Sequence, residues 1–181
     1  MLKNQRDYVK SNAALEVDVA IDGAAAAAAG RLERALAAED EALVSGAAQT
    51  LVDLLCDGAE IPRIPVKIAP QRKRYGRVEY YGWCGPKFIT VYLRTARLGR
   101  FVAYRTFLKT LCHEFCHHYD WKALGMADSF HTRGFYTRVN IVYGMLAGDG
   151  GTYRPQSQPQ IQNQFQTQLQ PFRIGASAND L

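Results

Sequence analysis

The sequence predicts an α+β fold: an N-terminal helix, a small sheet of about three strands, a long helix, and a following C-terminal helix. Three observations predict it. Residues 31–57 are rich in Ala, Leu and Glu, which are strong helix formers. Between Pro62 and Leu93, short β-branched and aromatic runs are cut by Pro and Gly, the pattern of strands separated by turns. Over residues 101–124, Tyr104, Phe107, Leu108, Leu111 and Phe115 recur at helical spacing.

Taken in order, the first thirty residues carry conflicting signals. Residues 15–22 alternate like a strand, whereas the alanine run at 24–29 favours helix. In the next region Leu32, Leu36, Leu43, Leu51 and Leu55 supply a buried stripe for one or two helices, with Gly46 as the expected break. Pro62 and Pro65 end the helical region and open a strand over 64–68; Gly82 and Gly85-Pro86 mark turns, and 88–93 reads as a strand of an antiparallel or mixed sheet. A closing helix is expected over 134–146. From Gly150 the character changes: glutamine occupies every even position from 156 to 170, broken by Pro155, Pro159 and Pro171. Such a tail buries too little to order itself. Within it Gln166, Leu169 and Phe172 have the spacing of a degenerate sliding-clamp peptide, a match that chance explains in so glutamine-rich a run. The expected division is an N-terminal extension (1–45), a domain (46–148) and a disordered tail (149–181).

A chain of 181 residues, 48% hydrophobic, suffices for one domain with a real core plus appendages. No stretch approaches the ~18 apolar residues of a membrane helix, and the alanine run follows Asp18 and Asp22 rather than a basic start. Membrane insertion and secretion are therefore not expected, and a cytoplasmic location is. Cys56, Cys84, Cys112 and Cys116 lack paired CxxC spacing, which argues for reduced thiols rather than a zinc ribbon.

One stretch carries chemistry by residue type and spacing: His113-Glu114-Phe115-Cys116-His117, followed by His131. On a helix, positions four apart point within about 40° of each other, so His113 and His117 form a two-nitrogen claw for a metal. Glu114 lies about 100° round, unsuited to ligation with them but placed to handle a proton on a metal-bound water. Catalytic zinc takes three protein ligands and keeps a fourth position open. His131 is the favoured third ligand, with Asp128 and Asp120 as carboxylate competitors; His118 falls toward the packed side as a buried or supporting histidine. Arg133 or a cleft tyrosine is available to assist an oxyanion, and the sequence singles out neither.

With these residues in order, the chain over 51–143 resembles the SprT-like domain, the zinc metalloprotease module of the SprT and Spartan-type proteins. The resemblance rests on the helix ending in Leu54-Leu55-Cys56-Asp57-Gly58, the runs Ile64-Pro65-Val66-Lys67-Ile68, Gly76-Arg77-Val78-Glu79-Tyr80 and Phe88-Ile89-Thr90-Val91-Tyr92-Leu93, the HExxH helix, and the step from His131 to Phe135. It implies a zincin-like fold, Zn2+ held by His113, His117 and His131, and Glu114 as the catalytic base against a peptide carbonyl. Family members commonly carry Gly directly after the third histidine; here Thr132 stands there and glycine follows at Gly134. The zinc ribbon and partner-binding motifs of longer members are not evident.

Charge is uneven. Between residues 61 and 109 stand twelve Lys or Arg against one acid, Glu79, whereas residues 1–60 hold five basic and eleven acidic residues. A basic block attracts phosphate backbones or acidic proteins, and the interleaved Tyr75, Tyr80, Tyr81 and Trp83 suit stacking on unpaired bases; together with the resemblance, this implies contact with DNA, single-stranded especially, through residues 61–109. The competing reading is a solvated strand face, partly neutralised by the acidic N-terminal region. The expected function is zinc-dependent hydrolysis of peptide bonds in a protein or peptide substrate, DNA-associated proteins included. The alternative is a nucleic-acid-binding protein with a structural or vestigial zinc site.

Overall fold

The structure, a computed structural model, describes residues 3–72, 74–75 and 78–148; the glutamine-rich tail and its sliding-clamp-like spacing lie outside the described residues. Among the described residues there are five helices, α1 (Lys3–Ala13), α2 (Gly23–Ala37), α3 (Glu41–Gly58), α4 (Tyr104–Lys122) and α5 (Arg133–Ala147). The strands are β1 (Val66–Gln71), β2 (Arg74–Tyr75), β3 (Val78–Glu79), β4 (Gly82–Cys84) and β5 (Ile89–Arg94). The architecture is α+β, and no described helix is long and apolar enough to cross a membrane.

The main sheet is mixed, in the order β1-β5-β4. β1 runs parallel to β5, with Val66 opposite Ile89, and β4 runs antiparallel to it, with Trp83 opposite Thr90. β2 and β3 form a separate two-residue pairing. Along β5, Ile89, Val91 and Leu93 are buried and alternate with half-buried positions, as a strand with one covered face requires. The core joins them to Leu32, Leu51, Leu55, Phe107, Leu111, Phe115 and Val142 from four helices. Residues 1–45 contribute Val19, Ala25, Ala28, Ala29, Leu32, Ala35, Leu36 and Val44 to that same cluster.

Several boundaries differ from expectation. The helical region breaks at Glu39 and Asp40 rather than at Gly46, which sits inside α3. Glu39 adopts a left-handed φ of 53°, and Asp40 caps α3 by accepting the Leu43 amide at 2.9 Å, a favourable N-cap. Leu43, expected in the buried stripe, is exposed. Residues 15–22 form no strand. They run extended across the body, Ala20 donating to the Gly58 carbonyl and Asp18 to the Tyr119 hydroxyl, which buries Val19 without a ladder. Helix α1 carries no apolar stripe that would announce it. α4 starts three residues later than expected because Phe101 still bridges to Arg94 and the Val102 amide donates to Leu93.

Candidate metal centre

Helix α4 sets His113 and His117 one turn apart on one face. After Lys122 the chain turns at Gly125, whose φ of 61° favours glycine, and the following loop returns His131 to that face. The three Nε2 atoms converge: His113 to His131 is 3.0 Å, His117 to His131 is 3.0 Å and His117 to His113 is 3.2 Å. These three side chains lie close enough to hold a metal ion. Phe135, on the first turn of α5, floors the cluster with its ring centroid 4.9, 4.6 and 5.2 Å from the rings of His113, His117 and His131.

The imidazoles are prepared as neutral ligands. Burial, reinforced by the neighbouring imidazoles, holds His113 and His117 well below the ordinary histidine range, and burial brings His131 down to about 4. The tautomer of His117 follows from its partner. The Ser129 hydroxyl donates to Asp120 Oδ2 at 2.7 Å, so its single proton is spent and it accepts the His117 Nδ1–H at 2.8 Å. Nε2 of His117 therefore presents a lone pair to the cluster, the arrangement in which an outer partner orients a ligating histidine. Asp120 is in turn paired with Arg138 at 2.8 Å, both side chains wholly buried. Asp120 thus supports the site through Ser129 and is not itself a ligand. Asp128, the other carboxylate competitor, is exposed, and its amide donates to Asp7. His118 is buried and donates from Nε2 to the Pro62 carbonyl at 2.7 Å.

Glu114 is buried beside the cluster without joining it. Burial alone raises its carboxyl to about 8. It lies directly against β4: a Cβ at Gly82 would sit 2.6 Å from Glu114 Oε1 and 2.9 Å from Thr110 Cγ2, so only glycine leaves the carboxylate where it is. Gly82, expected at a turn, is therefore a strand residue with a steric reason. His113 and Glu114 open on a cavity of about 330 Å3 whose other walls include Thr106, Thr110, Tyr136, Val139 and Tyr143, with Arg105 and Lys109 on its basic side. Tyr136 is the tyrosine the sequence did not single out. Its ring stacks on His131 at 5.9 Å, and burial pushes its hydroxyl up to about 12, so it is a proton-bearing donor; Arg133 is exposed.

Thr132 and Gly134 have distinct local reasons. The Thr132 side chain caps α5, accepting the Phe135 amide at 3.1 Å. At Gly134 a Cβ would meet the Ser11 carbonyl oxygen at 2.1 Å. The four cysteines are unpaired, and Cys112 and Cys116 are buried on the packed side. Burial pushes the Cys112 thiol up to about 12, away from the thiolate a metal needs.

The basic block is partly consumed internally. Arg63 pairs with Asp57 at 2.6 Å, Arg94 with Glu41 at 3.1 Å, and Arg72 with Glu79 at 3.3 Å while stacking on Tyr81. Asp57 and Glu41 belong to the acidic N-terminal region, so the neutralising reading holds for two of these cations. Lys67 lies over the Phe88 ring, and the exposed Trp83 meets Phe88 edge-on. Lys73, Gly76 and Arg77 fall outside the described residues. No family model, no curated protein and no solved structure matches this chain.

Proposed function

We propose that this chain is a zinc metallopeptidase with a zincin-like, SprT-like domain that hydrolyses peptide bonds in protein or peptide substrates. The observation that carries the reading is the convergence of three neutral imidazole nitrogens beside a buried carboxyl that does not ligate, with one of those imidazoles, His113, and the carboxyl of Glu114 lining the same cavity. Tetrahedral zinc with imidazole bonds of ~2.0–2.1 Å spaces its ligands by about 3.3 Å, close to the observed triangle. The donor set of three histidines also suits zinc chemically. Among the described residues no fourth His, Cys, Asp or Glu completes the cluster, which favours an open catalytic site over a closed structural one.

Bound zinc supplies a water of lowered pKa and polarises the carbonyl. The chain's own groups do the rest. Glu114 takes the proton from water and passes it to the leaving nitrogen; a cation beside it favours the carboxylate that burial alone disfavours. The protonated Tyr136 hydroxyl faces the same cavity as a donor to the oxygen on which negative charge develops. The cavity seats the substrate next to Glu114, and its basic side, Arg105 and Lys109, favours acidic groups nearby.

Purified protein is expected to carry one zinc per chain and to hydrolyse casein, with activity lost on chelation and restored by Zn2+. Repeating the assay with single-stranded DNA tests the contact expected through residues 61–109. Stoichiometric zinc without hydrolysis, with a cobalt spectrum of four protein ligands, would instead support the binding-protein reading.

Gly82→Ala tests the placement of the base. The added Cβ must displace Glu114, and misplacement by about 1 Å costs on the order of 10²-fold in rate. The expected outcome is a kcat loss of that size with the zinc content of the parent nearly kept and a stability cost of about 1–3 kcal/mol from the overpacked site. Full activity in this variant would show that the carboxylate does not need its observed position.

A further inference from the structure

The loop over residues 125–132, which delivers His131, is gripped from outside by α1. Asp7 Oδ2 accepts the amides of Ala127 at 2.9 Å and Asp128 at 3.1 Å. The Ser11 hydroxyl reaches Thr132 Oγ1 at 2.9 Å and the Phe130 carbonyl at 3.4 Å. Lys10 Nζ donates to the Leu124 carbonyl, and Tyr8 meets the Phe130 ring edge-on. Asp7 and Ser11 are buried although they belong to a polar helix. At its C-terminal end α1 comes so close to α5 that only Gly134 fits beneath the Ser11 carbonyl. The buried Arg138 donates to the Ser11 and Ala14 carbonyls from the same side.

We infer that α1 is a clasp for the metal centre, with Asp7 and Ser11 as positioning residues that hold the loop so that His131 meets His113 and His117. The inference rests on the metal-site reading above. An unclasped loop must be ordered when the third imidazole is recruited, and the entropy of that ordering is subtracted from metal affinity. The clasp removes this cost in advance. It also gives α1 a role that its sequence, lacking any catalytic residue type in a recognisable spacing, does not suggest.

The test uses full-length Asp7→Ala, Asp7→Asn and Ser11→Ala. Zinc affinity is measured by chelator competition, and hydrogen exchange of the 125–131 amides is followed in metal-free protein. Asp7→Ala and Ser11→Ala are expected to weaken zinc binding about tenfold, the scale found for outer partners of metal ligands, and to speed exchange in the loop but not in the middle of α4. Asp7→Asn keeps an acceptor oxygen and is expected to bind zinc nearly as the parent does; a loss equal to that of Asp7→Ala would assign the effect to charge and overturn the clasp. Parental zinc affinity in both alanine variants overturns it as well, whatever the exchange shows. If the parent itself binds no zinc, the metal-site reading fails separately, and parental loop exchange in both alanine variants then overturns the clasp.

Discussion

Glu114→Gln is expected to lower peptide hydrolysis by about 10²–10⁴-fold, the range for loss of a general base, while leaving zinc stoichiometry intact. The three ligand side chains are untouched and Gln fills the same volume against Gly82, but an amide cannot accept the proton. The same variant has a second signature in metal-free protein. Burial raises Glu114 from 4.5 to about 8 in the folded chain, so the native state keeps a proton that the unfolded chain sheds above pH 4.5. The parent's stability from this group is complete below pH 4.5 and declines as pH rises toward 8, by at most about 1.4 kcal/mol per unit. Glu114→Gln has no such loss. Its unfolding free energy from urea titration should therefore exceed the parent's at pH 8 by a few kcal/mol, and the two should converge near pH 4. The histidines act in the opposite sense, since their lowered pKa values remove stability as pH falls below about 6.5. Both proteins share that term, and it cancels in the difference. Hydrolysis retained by the variant would remove Glu114 from the base role; a pH-independent stability difference would contradict its burial as a neutral acid.

What could be read from the sequence is what local periodicity encodes. His113 and His117 share a helix face because they are four apart, and the apolar arc of Phe107, Leu108, Leu111 and Phe115 buries the opposite side. His131 was accessible because few loop residues suit a metal and the loop length allowed a return. Interactions that depend on distant pairing left no such trace. Arg138 looks like one more helical cation, and only its partner eighteen residues earlier explains why it is buried. Ser129 acquires its role from Asp120 and His117 together. Helix α1 docks through Asp7 and Ser11 rather than an apolar stripe, so hydrophobic patterning does not reveal it. At 39–40 the turn uses a left-handed glutamate and an aspartate cap, and an expectation that glycine marks the break moves it to Gly46. Gly82 lacks a side chain because of Glu114, thirty-two positions away.

Arg138→Met is expected to destabilise the protein by about 3–5 kcal/mol, the cost of stripping one partner from a buried ion pair. That is a large share of the ~5–15 kcal/mol that holds a domain of this kind. The guanidinium is wholly buried and donates to three acceptors on two segments: Asp120 on α4 at 2.8 Å, and the Ser11 and Ala14 carbonyls where α1 ends. Methionine fills much of the space but leaves a buried carboxylate and two carbonyl oxygens without their donor. Burial already raises the Asp120 carboxyl against the pull of Arg138 and Ser129, so loss of the cation drives it further toward the neutral acid. A protonated Asp120 is a poorer acceptor for Ser129, and the hydrogen bond that sets the His117 tautomer weakens with it. Metal affinity should consequently fall together with stability. Asp120→Asn separates the two effects: it keeps an acceptor for Ser129 but loses the charge. Combined with Arg138→Met, it should recover part of the stability, giving a coupling energy of about 1–3 kcal/mol. The recovery stays incomplete because the α1 carbonyls remain unpaired. Urea unfolding of the parent, both single variants and the double variant measures this cycle, and strict additivity would mean that Arg138 and Asp120 do not act as a pair.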